Sequence, residues 1–283
     1  MEGSLQIRVT CSPDADDLFM MRALLDGHID TGPYQFVIDM APTDDLNRRA
    51  SSEDAPEVIA ISIAHLPAVQ EHYQLLPHGG SMGEGYGPVV ITKEPTRLED
   101  LVGKRVAIPG LTTSAWATLQ LMVPDLTPVI VPIVPYTGIF DAISEGRVDA
   151  GLIIHEGRLT YEELGFYRVC DIGEWWAEQT GGLPLPLGGN TIARRLGPHI
   201  PEVSRLLRES IAHGLAHQSE AVDWLLNKES ALTTSEKMNE YLEMYANSRT
   251  LDYGPQGRLA IDEFFRRCSE AGILPAISVD YAP

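Results

Sequence analysis

Over its first two thirds the chain alternates short apolar runs closed by turn residues with longer stretches of helical periodicity. Leu5–Cys11, Tyr34–Met40 and Val58–Ser62 read as buried strands, with Asp16–Leu25, Asp44–Ala50 and Ala64–Tyr73 as the helices between them. A second set follows: strand Arg105–Ile108, helix Ser114–Met122, strand Val129–Val134, helix Ile139–Glu145 and strand Ala150–Ile154. Strands alternating with helices predict an α/β protein with mostly parallel sheets joined by right-handed crossovers and flanked by helices.

From about Pro198 the pattern is almost wholly helical, at Glu202–His217, Glu220–Leu226, Ser235–Ala246 and Gln256–Ala271. Leu206, Leu207, Ile211 and Leu215 share one face, so these helices need a surface to cover, and the first sheet is the nearest. Two segments rich in glycine and proline, Pro77–Pro88 and Gly181–Gly189, fall where the two strand sets join. Two crossings predict two lobes: residues 1–92 with 193–283, and residues 93–192. Open α/β sheets bind ligands beyond the carboxyl ends of their strands, and pockets favour domain junctions, so the cleft between lobes is the expected site.

Charge and cysteine content narrow the partners. Over 283 residues, Lys+Arg number 21 and Asp+Glu 40, a formal net charge of −19. That leaves no positive excess to displace counterions from a phosphate backbone, which argues against nucleic acid as a partner. The 3 cysteines, Cys11, Cys170 and Cys268, are odd in number and far apart, which fits neither a disulfide framework nor a clustered metal site and suggests a reducing compartment. Asp, Glu or Pro interrupts every apolar run before a membrane-spanning length, and the N-terminus has no basic or apolar leader region. The expectation is a cytoplasmic protein without a membrane partner; a homo-oligomer stays open.

Several residues could carry chemistry. Thr112, Thr113 and Ser114 follow a strand and open a helix, so they either cap it or help its free N–H groups seat a carboxylate. His155 stands directly after a buried strand, beside Glu156 and Arg158, and is either a structural loop histidine or a general base working near neutral pH. Asn47 and Ser62 end a helix and a strand where they could reach the cleft, or satisfy backbone groups. His213 and His217 lack the glutamate of a zinc motif and read as surface residues. Gly79–Pro88 lacks the Lys-Ser/Thr of a phosphate loop and precedes a strand, which favours a turn or hinge. Of Trp175 and Trp176, one is expected in the core and one at a surface, because adjacent helical residues point about 100° apart. Cys11 is read as buried, with no base to activate it.

The run Asp149–Arg168, then Asp171-Ile172-Gly173-Glu174-Trp175-Trp176 and Pro184-Leu185-Pro186-Leu187-Gly188-Gly189, resembles the 1,4-dihydroxy-6-naphthoate synthases of the futalosine route to menaquinone. Ser12-Pro13 with Asp17 and Phe19, Leu46–Arg49, Met82–Pro88, Ile108-Pro109-Gly110 with Thr112-Thr113, Thr250–Gly254 and Gly257-Arg258 extend the likeness over nearly the whole chain. The resemblance implies a two-lobed fold like that of type II periplasmic binding proteins, and a carbon–carbon lyase acting on cyclic de-hypoxanthine futalosine, an aromatic carboxylate. It further implies His155 as the base, a substrate site at Asn47, Ser62, Thr113 and Ser114, and no metal or organic cofactor. There are departures. The family's Ser-Pro-x-Pro-Asn-Asp-Thr-Phe is here Ser12-Pro13-Asp14-Ala15-Asp16-Asp17-Leu18-Phe19, and Ser114 replaces a usual alanine. Near Ser62 the family's lysine and tyrosine are missing, with Ala60 and Leu66 close to those places. A non-catalytic solute receptor and the sister enzyme that dehydrates chorismate are the competing readings; the His-Glu-Gly-Arg block argues against the latter.

Overall fold

The computed structural model describes residues 4–133, 137–228 and 232–283. The chain opens with β1 (Leu5–Cys11), α1 (Ala15–Leu25), β2 (Tyr34–Met40), α2 (Thr43–Ala50) and β3 (Val58–Ser62). These strands pair in parallel, with β1 central. In α2 Asp44 and Asp45 fill the first turn and Arg48 and Arg49 the last, the order the helix dipole favours. The expected helix Ala64–Tyr73 is instead a 3-10 turn at Ile63–His65, a single α-turn α3 (Leu66–Val69), and a strand β4 (Tyr73–Leu75). Pro67 supplies no backbone donor, and Tyr73 and Leu75 bury alternate positions against a sheet. Strand β5 (Ser81–Gly83) precedes the first crossing.

The second sheet begins with β6 (Val89–Thr92) and β7 (Arg105–Ile108), followed by α4 (Ser114–Met122), β8 (Thr127–Ile130), α5 (Gly138–Ser144), β9 (Ala150–Ile153) and β10 (Tyr167–Asp171). The strand expected at Val129–Val134 is β8, starting two residues earlier, and Val134 lies outside the described residues. Helix α6 (Ile172–Thr180) is capped by the Asp171 carboxylate, which accepts from the N–H groups of Gly173 and Glu174, and stops at left-handed Gly181. Strand β11 (Leu185–Ala193) then returns to the first sheet.

Strand order is β2-β1-β3-β11-β4 in the first sheet, with β5 also on β11, and β10-β6-β9-β7-β8 in the second. Each sheet is therefore mixed rather than mostly parallel. The β1–β3 and β7–β9 units are parallel, but β6, β10 and β11, at the crossings, run antiparallel to their neighbours. This also moves the expected boundaries: β6 belongs with the second sheet and β11 with the first, so divisions after 92 and 192 assign both strands to the wrong side. At the crossing, backbone meets backbone: a Cβ on Gly173 would stand 2.1 Å from the Tyr86 carbonyl. Arg158 fixes the same corner by donating to the Gly87 carbonyl and the Asp171 carboxylate.

The C-terminal helices are α7 (Ile200–Ala216), α8 (Gln218–Leu225), α9 (Ser235–Tyr245), α10 (Ser248–Leu251) and α11 (Gly254–Glu270). As expected they cover the first sheet: α7 lies on α1, and α11 lies on β11. Helix α11 also brings Phe264 against Trp176, which is fully buried and donates its indole N–H to the Pro184 carbonyl, while Trp175 stays half-buried. Helix α9 reaches across to the second sheet, where Lys237 Nζ lies 2.6 Å from Glu163 Oε1. Cys11 and Cys268 are buried and all three cysteines are free thiols.

Candidate active site

Strand β9 delivers His155 to the gap between the sheets, at the start of a 3-10 turn, His155–Leu159. Its φ of 55° is the only positive value at a non-glycine among the described residues, a conformation costing an L-residue about 1–2 kcal/mol. Both ring nitrogens hold it there. Nδ1 lies 3.2 Å from Asp14 Oδ2, and Nε2 lies 3.0 Å from the Thr43 hydroxyl at the start of α2. Asp14 is fully buried and also accepts from the Ser12 hydroxyl. A proton on Nδ1 directed at this carboxylate would leave the Nε2 lone pair facing the Thr43 hydroxyl. His155 keeps 21% of its side chain exposed, enough to meet a ligand.

The ring borders a cavity of about 540 Å³, including its open mouth. One wall is the start of α4: Thr113 accepts from the Trp116 N–H, so the N–H groups of Ser114 and Ala115 lead the helix without an intrahelical partner. A second wall is acidic. Asp16, in the first turn of α1, accepts from the Ser81 hydroxyl at 2.7 Å and from the Tyr241 hydroxyl at 3.1 Å. A third is aromatic, formed by Tyr241 and Tyr245 one turn apart on α9. Burial, then the neighbouring Asp14 charge, pushes the Asp16 carboxyl upward, and burial with Asp16 beside it pushes Asp17 well up. Burial raises Tyr241 well above the ordinary phenol range.

Of the residues singled out from sequence, His155, Ser62, Thr113 and Ser114 line this cavity together. Ser114 does more than line it: its hydroxyl donates to the Leu187 carbonyl at 2.6 Å and accepts from the Ala64 N–H at 3.1 Å, which ties α4 to β11. Asn47 is not on the wall. It is buried behind it, where Oδ1 accepts from the Ser62 N–H at 2.9 Å and Nδ2 donates to the Ser62 and Thr112 hydroxyls at 3.2 and 2.9 Å. Sequence reasoning missed Asp14, Asp16, Thr43, Ser81, Tyr241 and Tyr245. Asp14 and Asp16 sit inside the segment already noted as departing from the family pattern, and the i, i+4 tyrosine pair on a periodic helix was a second available signal. His213 and His217 lie at the surface as expected, stacked with each other and with His28. Among the described residues no cluster of His, Cys, Asp or Glu is arranged to hold a metal ion, and no helix is long and apolar enough to cross a membrane.

Two mixed α/β sheets joined by a double crossing, with His155 bordering the cavity between them, define a protein of periplasmic-binding-protein-like fold. The fold recurs in the alkanesulfonate-binding protein SsuA of Xanthomonas axonopodis, 16% identical, with a TM-score of 0.70 and coverage of 97% of this chain and 96% of that one. The menaquinone biosynthesis family model matches residues 7–270, and the chain belongs to that family. A 1,4-dihydroxy-6-naphthoate synthase of Thermus thermophilus is 36% identical over 269 residues, 94% of this chain and 95% of the relative. The crystal structure of protein AF1704 from Archaeoglobus fulgidus is 37% identical, with a TM-score of 0.87 and coverage of 95% and 98%. The protein is an enzyme with a role in menaquinone biosynthesis.

Proposed function

We propose that this enzyme is a carbon–carbon lyase that converts cyclic de-hypoxanthine futalosine to 1,4-dihydroxy-6-naphthoate, with His155 as general base. The observation that carries the reading is the held imidazole: Asp14 on Nδ1, and Nε2 turned to Thr43 beside a cavity of about 540 Å³. Polar and aromatic walls around a cavity at the junction of two sheets are the setting in which small-molecule sites occur. The leading N–H groups of α4 at Ser114 and Ala115 suit the substrate carboxylate, Ser62 and Thr113 offer hydrogen bonds, and Tyr241 and Tyr245 offer aromatic faces. Asn47 acts behind the wall by fixing Ser62. Three free thiols agree with a cytoplasmic setting.

One positioned base contributes about 10²–10⁴-fold, so orientation within the cavity supplies much of the remaining acceleration. Incubating the purified protein with cyclic de-hypoxanthine futalosine should give naphthoate absorbance. His155→Asn should lose turnover by at least about 10²-fold while binding persists in a thermal-shift titration. Absence of product from the intact protein refutes the activity; an unimpaired variant removes His155 from the base role.

A further inference from the structure

The hydroxyls around the cavity are not alike. Ser81 and Tyr241 donate to the Asp16 carboxylate, Ser114 to the Leu187 carbonyl and Thr113 to the Gly110 carbonyl. Thr43, the first residue of α2 and also on the cavity wall, is instead set against an imidazole: its hydroxyl oxygen lies 3.0 Å from His155 Nε2. The other ring nitrogen, Nδ1, lies 3.2 Å from Oδ2 of Asp14, which is 1% exposed and accepts from the Ser12 hydroxyl. Hydroxyl, imidazole and buried carboxylate therefore stand in line. Two other hydroxyl–imidazole pairs, Ser51 with His65 and Ser204 with His78, lie off this cavity. The same wall carries the Ser114 and Ala115 N–H groups at the start of α4, donors without an intrahelical partner. A nucleophile bonded to a base, a base oriented by a third group, and backbone donors beside them are what acyl transfer requires.

We propose a second activity for this cavity: acyl transfer from aryl esters of small carboxylic acids, with Thr43 as nucleophile, His155 as its base and Asp14 holding the imidazole. It shares His155 with the lyase reading above and goes beyond it. The Thr43 oxygen bonds to the ester carbonyl carbon while Nε2 takes the hydroxyl proton, and the carbonyl electron pair moves to its oxygen, which the α4 N–H groups stabilise. That pair then returns, the bond to the aryl oxygen breaks, and the imidazolium protonates the departing aryl oxide. Water repeats the sequence on acyl-Thr43, releasing the carboxylic acid and restoring the hydroxyl. Ester and water thus become acid and phenol, and neither oxidant nor reductant takes part. Tyr241 and Tyr245 supply aromatic faces for the aryl group.

The test uses the full chain with two probes. Hydrolysis of p-nitrophenyl acetate is followed by nitrophenolate absorbance; phenylmethanesulfonyl fluoride loses fluoride to an activated hydroxyl and leaves a sulfonyl label that water removes only slowly. Wild type should release nitrophenolate at least about 10²-fold faster than Thr43→Val or His155→Asn. Peptide mass spectrometry should place a single label on Thr43. Thr43→Ser, which keeps the hydroxyl, should stay within about tenfold of wild type, and it separates a lost nucleophile from a disturbed fold. Release from Thr43→Val within about threefold of wild type overturns the proposal. A label confined to His155 or to surface residues overturns it too, as does a wild type no faster than buffer. Naphthoate formation is read separately, so a wild type that makes none defeats the lyase reading, and the ester still decides the role of Thr43.

Discussion

Replacing Asn47 with alanine separates a scaffolding role from a substrate contact, because the two have opposite signatures. Asn47 is 1% exposed, and its amide holds the Ser62 N–H, the Ser62 hydroxyl and the Thr112 hydroxyl. In Asn47→Ala the two hydroxyls, which accept from the amide Nδ2, can still rotate toward other partners, but the Ser62 N–H, fixed in the backbone, loses its acceptor and has no such freedom. An orphaned buried donor costs about 1–3 kcal/mol, and the void left by the amide adds to it, for a total of roughly 2–4 kcal/mol. At about 2–4 °C per kcal/mol for a chain of this size, Tm should drop by roughly 4–15 °C. Calorimetry measures that directly, and steady-state kinetics on the same preparation should show KM raised by less than about threefold. A variant with wild-type Tm and KM raised tenfold or more would refute the reasoning, since only a direct contact with substrate produces that pair.

Two further outcomes follow from the same geometry. Asp14→Asn keeps the shape beside His155 Nδ1 but removes the charge that stabilises an imidazolium, so kcat should fall about 10–100-fold with little change in Tm; a variant within twofold of wild type would show that the 3.2 Å contact has no catalytic consequence. Asp17 is pushed well up in the folded state by burial and by Asp16, so its ionisation is harder there than in the unfolded chain. This group therefore supports the fold fully at low pH and loses that support as pH rises above its unfolded value near 3.8. Asp17→Asn still accepts from the Ser12 N–H, and its Tm should exceed wild type at pH 8 by a margin that shrinks toward zero near pH 4; a margin that grows as the solution is acidified would contradict this sign.

The chain's local patterns determined much of the scaffold. Strands β1, β3, β7 and β9 and the large helices were legible because their apolar runs or periodic faces are buried; β2 was legible as a strand but not as an edge, where only Tyr34 is buried and Val37 and Met40 are exposed. His155, Ser62, Thr113 and Ser114 were legible as candidates because they stand where elements end, and ends of strands and starts of helices are where an α/β sheet meets its ligand. Strands β4, β5 and β11 were not. Their register comes from pairing with strands far away in sequence, and in β11 the prolines and glycines between Leu185 and Gly189 hide the pairing behind the look of a loop. Which polar groups meet was likewise settled by three-dimensional packing. Asp14 reaches His155 across 141 positions and Tyr241 reaches Asp16 across 225, contacts no local pattern encodes. Asn47 shows the reverse: read from sequence as a residue that could reach the cleft, it sits in the middle of α2, and the fold set Ser62 and Thr112 against its amide as a brace. Secondary structure follows from periodicity because it is local; charge partners and the cavity wall follow from the closing of two sheets on each other, which only the folded chain decides.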